Sequence, residues 1–552
     1  MASKATAASS GARPNVSRAS GAPAKKSTSL KGKKPVKDEA SAPQSDAPSA
    51  PGPSEEQPLE LIFGIVAPTG IDVGLACGLL EAELRSMDYE SQIISLSRLI
   101  ELKLGYKKPF KNEHDRISKL MDMGTFLKKE NSQADIVARF GIQAIQAVRR
   151  KQSSTQRLGR AYIIRSFKRK EEVELFREIY GDQFVLISAY APKPARIEYL
   201  KRRIGPTLKI GDSPVDELAR ALIERDYSED NVINGQQVGK TFPLADYFVN
   251  TESRPDLEAN IRRVVHLTFG DPYISPSQEE QGMFFAQAAG LRSLDLSRQV
   301  GAAILTAEGD IQTTGCNEVP SAGGGLYWAS QTNVKRDLEL GYDSNVILKR
   351  HVLEDTIVRM KGAGWLGPEV ADVAVSDLLD RALLNDGSFM ESSTFNDVIE
   401  YGRAVHAEMA AISDAAKRGI GVRNSSLFCT TFPCHLCARH IVAAGLKEVF
   451  FIEPYEKSRV KDLYPDSIAI EPSASCPDRV AFKSFVGVAP RRYIDFFQSR
   501  GSKKNKDGSV LDFKQAGKYK KFKKKVFHIS LLEKVAVEET ADFIPWPHNG
   551  ED

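Results

Sequence analysis

Val405-His406-Ala407-Glu408, followed further along the chain by Pro433-Cys434-His435-Leu436-Cys437, decides how the C-terminal half of these 552 residues is read. The two stretches supply one imidazole, two thiols and one carboxylate. An imidazole and two thiolates are three ligands of a tetrahedral zinc ion, and three protein ligands leave a fourth position for water. That open position marks a catalytic zinc site, whereas a structural one is closed by four protein ligands. Closing this one would take His435 or His440, and Glu408 would then have no use. His406, Cys434 and Cys437 are therefore the expected zinc ligands.

Glu408 is the expected general acid–base, because the order H-x-E and then P-C-x-x-C is the signature of zinc-dependent base deamination. A helix is expected over 404–418, with Val405, Met409, Ile412 and Ala416 as its buried stripe at spacings of four, three and four. His406 and Glu408 lie off that stripe at the helix start. Cys434 and Cys437, three apart, share a face at the start of a second helix over 434–444. The partial positive charge of a helix N-terminus favours the thiolate.

Around these helices the pattern predicts strands at 427–430 and 448–452. Upstream it predicts a helix at 279–296 and a hairpin at 300–305 and 311–317. Residues 318–400 are a long insertion with helical stretches near 345–360 and 369–384. The order predicts a three-layer α/β/α domain over 276–500.

The N-terminal half opens differently. Leu61-Ile62-Phe63-Gly64-Ile65-Val66 is an apolar run, then Ala67-Pro68-Thr69-Gly70 makes a turn into a helical pattern over 73–86. Further strands are expected at 161–164 and 184–188 and a helix at 171–180. This is the alternation of a parallel α/β sheet, placed over 58–270 and ending in a helix at 256–269. It reads as a P-loop NTPase-like, kinase-like domain that has lost its chemistry. A P-loop places Lys and Ser or Thr after its last glycine; here Gly70 is followed by Ile71 and Asp72, and Arg165 stands where an acidic magnesium ligand is expected. Thr69 and Gly70 are still expected to offer backbone N–H groups to a phosphate at a helix start. A sensor or partner-binding role follows, with a regulatory nucleotide or RNA as its ligand.

Net charge is +4, but residues 1–40 carry +7 and residues 500–525 carry +9, leaving −12 for the rest. A broad nucleic-acid-binding face is excluded by that distribution. Residues 1–57 are rich in Ala, Ser, Pro and Lys and are expected to be a disordered basic tail; an amphipathic stripe, which a transit peptide would show, is missing. Residues 501–552 form a basic C-terminal segment, whose Lys518-Tyr519-Lys520-Lys521-Phe522 mixes cations with rings that can grip RNA. Six cysteines, of which only Cys434 and Cys437 have ligand spacing, and no long apolar run predict a reduced, cytoplasmic protein without a membrane span.

The segment from Arg292-Ser293 and Gln299-Val300-Gly301-Ala302 through Gly315-Cys316-Asn317-Glu318-Val319-Pro320 to the zinc motifs resembles the deoxycytidylate deaminase family. The resemblance implies that Asn317 hydrogen-bonds the sugar or phosphate of a nucleotide and that Tyr455 lines the pocket. Over about residues 59–500, with Gly323-Gly324-Gly325-Leu326-Tyr327-Trp328 and Phe451-Ile452-Glu453-Pro454-Tyr455, the chain further resembles the bacterial anti-phage dCTP deaminases. That implies conversion of dCTP, and in some members dCMP, to the deoxyuridine form, with dCTP depletion as an antiviral outcome, and a homo-oligomer. A housekeeping dCMP deaminase is the alternative. A polynucleotide (RNA or single-stranded DNA) cytidine deaminase is a third reading, disfavoured by the −12 charge and the long insertion.

Overall fold

Leu61–Val66 (β1) is apolar and buried at every position, the pattern of a strand covered on both faces. The computed structural model describes residues 60–151, 159–209, 213–229, 232, 234–383, 390, 393–454, 458–472, 476–499, 501–512 and 528–538. The expected N-terminal tail, Tyr455 and the basic run at 518–527 lie outside them.

β1 is the middle of a sheet built with Tyr89–Ser95 (β2), Gly159–Phe167 (β3), Phe184–Tyr190 (β4) and Tyr247–Asn250 (β5). The order is β5-β4-β1-β3-β2, all parallel. Parallel neighbours need crossovers, and helices supply them. The helix Val73–Ser86 begins at the expected residue because Asp72 caps it, accepting from the Leu75 N–H at 3.1 Å.

The second sheet contains Gly301–Leu305 (β6), Ile311–Cys316 (β7), Ser426–Thr431 (β8), Glu448–Glu453 (β9), Ile468–Ile470 (β10) and Val480–Ser484 (β11). Its order is β10-β11-β9-β8-β6-β7; β6 runs antiparallel to both neighbours and the remaining pairs are parallel. β6 shows how the layers form. Ala302 and Ile304 face a cluster with Ala407, Ala411, Cys437 and Ile441, while Ala303 and Leu305 face Met283 and Ala286. Helices thus cover both faces, and the fold is the expected mixed α/β with two parallel-rich sheets.

The halves are stitched together. One core cluster runs from Ile62, Tyr162 and Phe248 to Met283, Leu305, Phe428 and Phe485 without a break. After β11 the chain crosses over, and Gly487–Val488 (β12) pairs antiparallel with β5 as the edge strand of the first sheet. The helix Ile529–Glu538 lies against Ile136–Lys151, where the buried Glu533 accepts from Arg149 at 2.7 Å and from the Tyr180 hydroxyl at 2.9 Å.

Three local expectations are corrected. The helix expected over 279–296 ends at Gly290, and residues 291–300 become a loop. The helix expected over 369–384 is two short ones, Pro368–Ala371 and Val375–Leu383. In Ala407–Arg418 the buried stripe is Ala407, Ala411 and Ala415 with Glu408 and Ala410, while Ala416 is exposed and Met409 and Ile412 are half-buried. The reason is proximity. A Cβ on Gly315 of β7 would stand 2.2 Å from the Ala407 carbonyl oxygen. Only a glycine strand against an alanine helix face permits that approach.

Candidate active site

The helix starts at Ala407 and His406 is its N-cap, in extended conformation. The second helix is His435–Ala443, with Cys434 as N-cap. Two helix starts therefore meet. The imidazole Nδ1 of His406 is 3.3 Å from Cys434 Sγ and 3.4 Å from Cys437 Sγ. Tetrahedral ligation at ordinary Zn–N and Zn–S lengths separates nitrogen from sulfur by about 3.5 Å. Both spacings fit zinc. Cys437 is fully buried and Cys434 nearly so.

The hydrogen bond with Cys437 brings the Cys434 thiol down to about 4, and the hydrogen bond between the His406 ring and Cys434 holds His406 up at about 9. A divalent cation bound by these three donors would displace their remaining protons. His435 points elsewhere, its Nε2 lying 3.3 Å from Glu400, and His440 is exposed. Among the described residues the cluster has three donors.

Glu408, in the first helical turn, is 4 % exposed, and burial pushes its carboxyl up. The Cys429 thiol of β8 sits near that carboxylate inside the core, where burial first and then the Glu408 charge push the thiol up. Nothing in the spacing of Cys429 announced this.

Above the cage opens a pocket of about 260 Å³. The loop before β6 gives it Asp295 and Arg298, and the end of β8 gives Thr431 and Phe432. The insertion gives Asp337, Asp343, Asn345 and Ile399, and Arg403 just beyond it completes a wall that the motifs did not foretell. The wall is braced: Arg403 donates to Asp337 at 2.8 Å and to the Lys335 carbonyl at 2.8 Å, and Asp343 caps Ser344–Gly362. Asn317 lines the pocket, but much of its amide is engaged. Its Oδ1 accepts from the Val300 N–H at 2.7 Å, and its Nδ2 donates to the Arg298 carbonyl at 2.8 Å. It clamps the 298–300 loop and keeps one N–H for another partner.

Glu318 carries the site's scaffold further. Its backbone pairs with Val405, next to His406, and its buried carboxylate accepts from the Leu294 and Val319 N–H groups. Thr69 and Gly70 lie elsewhere, on the turn after β1 in the first sheet.

The family described as "Cytidine and deoxycytidylate deaminase zinc-binding region" matches residues 276–453, which include the cage, Glu408, Asn317 and the insertion. Zinc is accordingly the metal of this region. The deoxycytidylate deaminase of Pongo abelii is 33 % identical over 109 residues, 19 % of this chain and 56 % of that protein. That of Enterobacteria phage T4 is 34 % identical over 92 residues, 17 % of this chain and 44 % of the relative. The chain spans about half the length of these curated relatives. A solved dCMP deaminase from the cyanophage S-TIM5, in complex with dCMP and dUMP, is 19 % identical, with a TM-score of 0.22 over 39 % of this chain and 100 % of that one. Among the described residues no helix is long and apolar enough to cross a membrane.

Proposed function

We propose that this protein is a zinc-dependent hydrolytic deaminase of free deoxycytidine nucleotides, releasing ammonia and the deoxyuridine nucleotide. The observation that carries the reading is Glu408: a buried carboxylate that is not a ligand, set beside a three-donor cage at the floor of a small pocket. Zinc held by His406, Cys434 and Cys437 would supply the Lewis acidity that makes water nucleophilic near neutral pH.

The chain's own residues do the rest. Glu408 takes the proton that the attacking water loses and passes it to the ring nitrogen next to the carbon under attack; it then takes the proton of the new hydroxyl on that carbon and hands it to the amino group, which leaves as ammonia as the C=O bond forms. The charge balances at every transfer, because the same carboxylate is alternately base and acid. Asn317, with its loop clamped and one N–H in hand, orients the sugar or phosphate. The insertion wall bounds the pocket, which suits a single nucleotide better than a strand.

dCTP is the first substrate reading, with dCTP depletion as an antiviral role. dCMP is the second, and the similarity to the deoxycytidylate deaminases of Pongo abelii and phage T4 favours it. Tyr455 is a proposed pocket residue on the same footing. The deciding experiment offers purified protein dCTP, dCMP, cytidine and single-stranded DNA while ammonia is measured. Release from dCTP or dCMP supports the reading, and release from neither overturns it. Expression of the active and E408Q proteins in infected cells, with dCTP measured, tests the antiviral role.

A further inference from the structure

The crevice at the carboxyl end of the strands is where an open α/β sheet takes its ligand, and the turn after β1 is the expected phosphate seat. In this chain the seat is taken. The Thr69 N–H donates to Asp226 Oδ2 at 2.6 Å. Lys168 Nζ donates to Asp226 Oδ1 at 2.7 Å and to the Ala67 carbonyl at 3.0 Å. Asp226 comes from the last turn of the helix Val215–Tyr227, and its side chain is fully buried.

Lys168 directly follows β3, so the cation missing from the turn's own sequence arrives from the neighbouring strand. On the other side Arg196 Nε donates to the Thr69 carbonyl at 3.0 Å. Gly70 has φ +98°, and a Cβ there would meet the Arg196 carbonyl oxygen at 2.8 Å. A backbone N–H and an ammonium, with a guanidinium adjoining, are the groups that seat a phosphate oxygen. Here two carboxylate oxygens satisfy the first two.

We infer that Asp226 is a built-in surrogate for a phosphate group, holding the β1 turn in an anion-bound form with no nucleotide present. The native protein then takes no phosphate at this turn, and a ligand acting here has first to displace the end of Val215–Tyr227 from Lys168. This inference stands apart from the deaminase reading and concerns the other sheet.

The test uses the full chain as wild type, D226A and D226N. Thermal unfolding is followed in phosphate, in pyrophosphate and in sodium chloride of equal ionic strength, with calorimetric titration of pyrophosphate. The expected result is a lower Tm for D226A that phosphate or pyrophosphate raises and chloride does not. The same anions should leave the wild type unmoved, and adding K168M to D226A should remove the rescue. Should D226A fail to fold, D226N, which keeps the shape and withdraws the charge, is read in the same way. Absence of anion-specific rescue in the folded variant overturns the inference. So does pyrophosphate binding by the wild type that K168M abolishes.

Discussion

His406 and Glu408 stand two residues apart and face different surroundings because the helix begins between them. As N-cap, His406 has extended backbone and swings its ring towards the cysteines. Glu408, in the first turn, is carried under the helix into the core. Replacing Glu408 by Gln keeps shape and burial and removes the proton carrier. One zinc per chain by metal analysis is expected, with turnover reduced by about 10²–10⁴-fold. A variant that loses zinc as well would make Glu408 a structural residue. Cys429 offers a finer probe. Its thiol sits near the Glu408 carboxylate inside the core. C429V should lower kcat with KM and zinc content unchanged, and C429S should recover most of it. Equal rates for wild type and C429V would show the contact to be idle.

At the scale of elements, sequence and structure agree where one physical requirement acts alone. Leu61–Val66 needed only to be apolar on both faces, and Val73–Ser86 needed only a cap and a period, so both were legible. Tyr89–Ser95 was missed because Glu90, Ser91 and Gln92 interrupt its apolar pattern. Gly487–Val488, at two residues, carries no pattern at all. The buried stripe of Ala407–Arg418 was misread for a more instructive reason. A search for bulky apolar residues finds Met409 and Ile412, whereas this helix is buried through its small ones. The meeting of His406, Cys434 and Cys437 was legible because ligand chemistry restricts residue type and spacing together. The Asp226 seat, the Cys429 contact and the Arg403 brace are made between distant segments, which spacing cannot reveal. Gly315 tests the close approach directly. G315A should push Ala407–Arg418 off β7, costing about 1–3 kcal/mol in denaturant unfolding. Because His406 and Glu408 ride on that helix, kcat should fall as well. An unchanged kcat in a stable G315A protein would show that the approach does not set the site.

At the scale of the whole molecule, Glu280 joins the two sheets. It is 1 % exposed; Arg263 of the helix Arg254–Thr268 donates to it at 2.6 Å, and the Val488 N–H donates at 2.9 Å. It also closes the capping box on Ser277. With the core continuous through this point, calorimetry should show one unfolding transition for residues 57–552. E280A leaves Arg263 and a strand N–H without their partner, and stability should fall by about 3 kcal/mol in that same single transition. Two separated peaks in the wild type would mean that the sheets melt independently.

The passage from β11 to β12 sets a limit on communication between the sheets. Only Phe485 and Val486 lie between Ser484 and Gly487, so the crossing is three peptide steps, about 11 Å at full stretch. Phe485 is buried and packs edge-on against Phe248 of β5, with ring centroids 5.9 Å apart. A tether so short, pinned at its midpoint, leaves no slack for one sheet to swing away from the other. A displacement of the first sheet is therefore passed to the second as strain along a taut coupling.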